Sequence, residues 1–147
     1  MPNFVDEEAL ITMDPAIKAQ WVSDLRSGDI EQGRAVLHRT DGSMCCLGVL
    51  TKLASDAGAV KKLGIENSAD NSTKIDCFRY GVDENNESYF FLTNTVSEWA
   101  GIITPHGMSL SGRLPFNDKH DRPVTLDALN DLGFSFSQIA DLIDFWY

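Results

Sequence analysis

Ile17, Trp21 and Leu25 recur at intervals of four, the spacing that lines one face of an α-helix. Asp14-Pro15 opens that stretch well: the aspartate oxygen caps free N–H groups, and proline lacks a donor that would go unpaired there. Ser27-Gly28 closes it. Gly33 to Arg39 reads as a short strand, and Thr40-Asp41-Gly42-Ser43 as a turn. Met44 to Ala57 carries Leu47, Leu50 and Leu53 or Ala54 at helical spacing and is apolar almost all round in its first two turns. Such a helix belongs at the centre of a fold, with Gly58 ending it.

Residues 64 to 74 are small and polar and read as a loop. Beyond them, 75 to 80 and 88 to 92 are β-prone runs flanking the polar stretch 81 to 87, which predicts a hairpin. Asn94 or Thr95 can cap a brief helix through Val96 and Trp99, stopped by Gly101. Residues 103 to 123, with three prolines and two glycines, form a long irregular connection. The chain closes on a helix pair, Leu126 to Gly133 and a second helix begun by the capping box Ser135-Phe136-Ser137-Gln138. That pair resembles the first half of a DNA-reading helix-turn-helix, but only Asp144 to Tyr147 follow Ile143 where a recognition helix would lie.

Together these elements predict a single α+β domain over residues 1–147. A small antiparallel sheet should pack against the 44–57 helix and the C-terminal helix pair. Phe134, Phe136, Ile139, Leu142 and Ile143 should form one apolar seam. The apolar end Phe145-Trp146-Tyr147 should dock on the domain or on a second copy, and a homodimer is expected.

Charge narrows the range of partners. Twenty-two acidic against 12 basic side chains leave a formal charge of -10, which repels phosphate backbones, so nucleic acid is not an expected partner. No run of about 18 apolar residues could span a bilayer. The acidic start Asp6-Glu7-Glu8 is unlike a secretion signal, so no membrane partner and a cytoplasmic location are expected. Three cysteines, two of them adjacent, make no even disulfide framework.

Candidate chemistry is sparse. Cys45-Cys46 at a helix start could form a nucleophilic thiolate with His38 nearby as base, yet adjacent thiols in an apolar helix are more often packing. Cys45, Cys46, Cys77, His38, His106 and His120 lack the paired spacing of zinc ligands, and no phosphate loop or nucleophile elbow appears, so neither metal nor cofactor is expected. Asn130 and Asp131, at the joint of the last two helices, should staple Gly133 and the Ser135 cap. For binding, Arg26, Arg34 and Arg79 offer guanidinium forks, and Trp21 and Tyr80 offer flat rings. This set could hold a nucleotide-like molecule despite the acidic charge. Pairing of those arginines with surplus carboxylates, and rings filling the core, is the competing reading.

Trp21-Val22-Ser23-Asp24-Leu25-Arg26-Ser27-Gly28, Gln32-Gly33, Cys45-Cys46-Leu47-Gly48-Val49-Leu50, Ser97-Glu98-Trp99-Ala100-Gly101, Leu129-Asn130-Asp131 and Ile139-Ala140-Asp141-Leu142-Ile143 form an ordered series. The series resembles a family of small proteins encoded by tailed bacteriophages and prophages. The resemblance implies an accessory protein acting in the host-cell cytoplasm on host physiology or immunity. The expected role is a non-catalytic binder that sequesters a nucleotide-like host defence signal. The alternatives are an acidic inhibitor of a host protein or DNA mimic, and third a thiol-dependent enzyme.

Overall fold

The computed structural model describes residues 3–4, 13–70, 73–102 and 113–147. Helix α1 (Pro15–Arg26) begins where the sequence places it, with the Asp14 carboxylate accepting from the N–H groups of Ala16 and Ile17 at 2.9 and 3.1 Å. Trp21, Val22 and Leu25 are its buried face. Gly28, at φ +78°, ends the turn that follows, in a conformation glycine adopts at little steric cost.

Helix α2 (Cys46–Asp56) is the central helix expected, buried from Cys46 through Thr51 and again at Ala54. Gly48 explains how it is approached so closely: a Cβ there would overlap the carbonyl of Leu37, whose chain crosses the helix at that point. The crossing segment is not the strand expected over 33–39. It makes only isolated bridges, Gln32 and His38 to Met44 and Arg39 to Cys77. Ala35 at φ +70° interrupts the extended run, and the Asp131 carboxylate accepts from the Ala35 N–H at 3.0 Å.

The largest departure lies in the middle of the chain. Residues 64–70 and 73–74, expected as a loop, belong to an antiparallel pair, β2 (Lys61–Asp70) and β3 (Thr73–Asp83). Its pairings are polar at the far end, where the Asn67 amide donates to Asp76 at 2.8 Å opposite it. A strand polar on both faces leaves no alternation to read. The next turn is also shorter than expected. Asp83 pairs with Asn86, so only Glu84 and Asn85 join β3 to β4 (Asn86–Ser88), and the Asp83 carboxylate accepts from both Asn85 and Asn86 N–H groups. Tyr89 to Leu92 then leaves the ladder, with the Ser88 hydroxyl accepting from Phe90 and Phe91.

Helix α3 (Asn94–Ala100) is capped by Thr93, one residue before the two expected, and stopped by Gly101 at φ +80°. Part of the expected irregular stretch is paired: β5 (Arg113–Asn117) lies between β1 (Asn3–Phe4) and β6 (Pro123–Thr125). Residues 103–112, including His106, lie outside the described residues. The class is α+β, with two three-stranded antiparallel sheets, β1-β5-β6 and β2-β3-β4, where one was expected.

Helices α4 (Leu126–Asp131) and α5 (Phe136–Trp146) close the chain, and the Ser135–Gln138 capping box is fully formed. The expected seam holds for Phe136, Ile139 and Ile143, with Leu142 half-buried. Phe134 is excluded, lying exposed beyond Gly133 in the turn between the helices. The C-terminus docks on its own chain: Lys18 Nζ donates to the carbonyls of Asp144 (3.0 Å) and Tyr147 (2.7 Å), and the Tyr147 ring sits 6.0 Å from that of Trp21. A cation on the last carbonyls also offsets the negative end of the helix dipole.

Candidate functional site

Of the five residues expected to hold a nucleotide, the structure buries two. Trp21 is wholly enclosed, its indole N–H donating to the Cys46 carbonyl at 3.0 Å. Tyr80 is 2% exposed, with its hydroxyl 2.7 Å from His38 Nδ1 and burial pushing its pKa up to about 12. Neither ring has a face free for stacking. Two of the arginines are occupied: Arg26 bonds Asp141 at 2.7 Å and lies 3.7 Å from Asp144, and Arg79 Nη1 donates to both oxygens of Glu87 at 3.0 Å. Arg34 is exposed on the segment before α2 and makes no ion pair among the described residues. The five are spread over α1, β3 and that segment. Neither of the two clefts described below is lined by any of them.

The thiols are packing groups. Cys45 stands at the N-cap of α2, where the helix dipole favours a thiolate, but burial outweighs it and lifts the thiol to about 12. Cys46 is pushed well above its ordinary value by burial, with Cys45 beside it adding to the effect. His38 is neutral at pH 7 and a weak base in this setting. Burial first, then Lys62 and Lys52, lowers it to about 4, and its ring packs 4.8 Å from that of Phe78.

Sequence reasoning missed the true purpose of the Asn130-Asp131 pair. Asn130 is fully buried and reaches away from Ser135. Its oxygen accepts from the Cys46 N–H (3.3 Å) and from Gln32 Nε2 (2.8 Å), and its amide donates to the Gly33 carbonyl (2.8 Å). It therefore satisfies one of the free N–H groups of α2, whose own N-cap cysteine makes no side-chain capping bond of hydrogen-bonding geometry. Gln32 takes the role foreseen for Asn130, donating to the Phe134 carbonyl (2.7 Å) and accepting from the Phe136 N–H (3.1 Å). The signal was present in the Gln32-Gly33 and Leu129-Asn130-Asp131 motifs, but nothing local says that they meet. This network is complete within the chain.

What remains open to a ligand is surface. A polar cleft of about 200 Å³ lies between the β3–β4 turn and the start of α3, lined by Asn85, Asn86, Glu87, Phe91 and Thr93 to Thr95. A larger, apolar one of about 370 Å³ lies between α1, α2 and α3, lined by Ala16, Ile17, Gln20, Leu53, Asp56, Ala57 and Trp99. Among the described residues no three His, Cys, Asp or Glu side chains converge as metal ligands, and no helix is long and apolar enough to cross a membrane.

No curated protein and no solved structure matches the chain. A family model described as a domain of unknown function, DUF8296, matches residues 13–146, spanning every described helix and both Gln32 and Asn130. The chain belongs to the DUF8296 family.

Proposed function

We propose that the protein is a phage-encoded accessory factor that acts without turnover, by docking its acidic surface on a basic face of a host protein. One observation carries this reading: four of the surface cations are held by the chain's own carboxylates, while acidic side chains remain in surplus around them. Arg26, Lys52, Arg79 and Arg122 each sit within ion-pair distance of the chain's own Asp or Glu. Asp29, Glu31, Glu84 and Glu98 face solvent with no such cation among the described residues. A charge of -10 distributed in this way steers a basic partner into contact and makes the complex salt-sensitive. It also suits the imitation of a nucleic acid on a basic protein.

The nucleotide-signal reading has less support. It would need Arg26 and Arg79 released from Asp141 and Glu87, and a cleft beside Arg34. Supported least is the thiol enzyme, since the groups it needs are buried and protonated.

The test is a neutralised variant, Asp29→Asn, Glu31→Gln, Glu84→Gln and Glu98→Gln, expressed as a tagged chain in bacterial cells beside the parent. The parent should retain a host protein at low salt and lose it as salt rises. The variant should bind it at least about tenfold more weakly with an unchanged melting temperature. Equal retention by both would refute the acidic-surface reading.

A further inference from the structure

We infer that the apolar cleft between α1, α2 and α3 is a docking groove for a basic amphipathic helix of the partner. The inference rests on the protein-binding reading above and specifies where and how that contact is made. Ala16 and Gln20 are four apart on α1, and Leu53 of α2 is four before Ala57, the residue that caps that helix in helical conformation. Each pair shares one helix face. The groove is thus bounded by one turn of each of two neighbouring helices, with Trp99 of α3 alongside. Ile17, Leu53 and Trp99 are half-buried against the core and form an apolar floor. Ala16 and Ala57 are small where bulk would close the groove, leaving about 370 Å³ open. Only Gln20 and Asp56 among its lining residues carry polar side chains, too few converging groups to orient a small polar molecule. Apolar anchors of a helix at i, i+3 and i+4 need no more than such a floor.

The charge around the groove selects the partner's sign. Asp56 lines it, Gln20 donates to Asp24 at 2.7 Å, Asp14 caps α1 beside Ala16 and Ile17, and Glu98 adjoins Trp99. Two lysines lie on the same helices. Lys18 is turned away to the α5 carbonyls, and Lys52 holds Asp56 through an exposed i,i+4 pair at 3.0 Å. Such a pair is weak and exchanges readily for another cation. The surroundings are therefore acidic over an apolar floor, the complement of a helix with a leucine-rich stripe flanked by lysine or arginine. A second copy of this chain would bring its own net negative charge to this acidic rim.

The probes are two synthetic peptides of identical composition, one with leucine and lysine arranged to form an amphipathic helix and one scrambled. They are titrated into the full chain by calorimetry. The amphipathic peptide should bind at least about tenfold tighter and shift tryptophan emission. Ala57→Phe and, independently, Ala16→Phe should reduce its affinity to that of the scrambled peptide. Both positions are exposed, so both variants should keep the parent's melting temperature. Equal affinity of the two peptides would overturn the groove yet leave the acidic-surface reading standing, and binding of neither would overturn both. Persistence of the preference in both filled variants would place the helix elsewhere. Self-association of the parent, abolished by Ala57→Phe, would assign the groove to a second copy and overturn the proposal.

Discussion

The helical body and the β2–β3–β4 arm are held together by different means. In the body, α1, α2, α4 and α5 enclose Trp21, Leu47, Leu50, Ile139 and Ile143, and the polar atoms brought inside by Asn130 are paired in one network. In the arm, two strands of 10 and 11 residues bury Ile75, Cys77 and Tyr80 but otherwise depend on a backbone ladder and cross-strand pairs, and Ile65 is 61% exposed on it. Burial of apolar area stabilises the first, so single side chains there carry large energies. The second spreads its stability over many small contributions. The two regions should accordingly answer mutation differently.

The sharpest contrast should come from Trp21→Ala, which opens a cavity in the body and leaves the Cys46 carbonyl without its side-chain donor. A loss of about 3 to 5 kcal/mol is expected in denaturant unfolding. A loss below about 1 kcal/mol would show that the body is not organised around this ring. Asn130→Ala comes next. It strands the Gly33 carbonyl and the Cys46 N–H in the interior, at a cost on the order of 3 kcal/mol in the same measurement.

His38 sits where body and arm meet, bonded to Tyr80 and packed on Phe78. Its pKa is lowered from 6.5 unfolded to about 4 folded, so the unfolded chain binds the extra proton first. Stability should be full above pH 6.5 and fall as pH drops towards 4, by about 3 kcal/mol in all. Unfolding curves of His38→Gln across that range should lack this component. The contributions of carboxylates such as Asp41, whose pKa is lowered by Ser43 hydrogen bonds, fall at lower pH, below 3.8. The smallest effect belongs to the arm: Ile65→Ser should change stability by less than about 0.5 kcal/mol. A loss of several times that would mean the arm packs against something at that face.

The same division explains what the sequence could disclose. Helices α1, α2 and α5 were legible because their caps and apolar periods are local, as at Asp14-Pro15 and Ser135-Gln138. β2 was not, because Glu66, Asn67 and their neighbours are paired by backbone rather than sorted by hydropathy. Nor was the irregular course of 33–39, which is set by Asp131 nearly a hundred residues on. As for the site, the aromatic and arginine side chains could be listed from sequence, but whether each is free or engaged depends on tertiary contacts. Trp21 proved to be core, Arg26 and Arg79 proved to be paired, and the groove of Ile17, Leu53 and Trp99 exists only once three helices meet.

On the function proposed above, this chain works by holding a protein rather than a nucleotide. Native mass spectrometry of the tagged chain, recovered from bacterial cells at low salt, tests it most directly. The expected spectrum is a stoichiometric complex with a basic host protein that dissociates as salt is raised, with no added nucleotide mass. A chain that carries a bound nucleotide and no protein partner would contradict it.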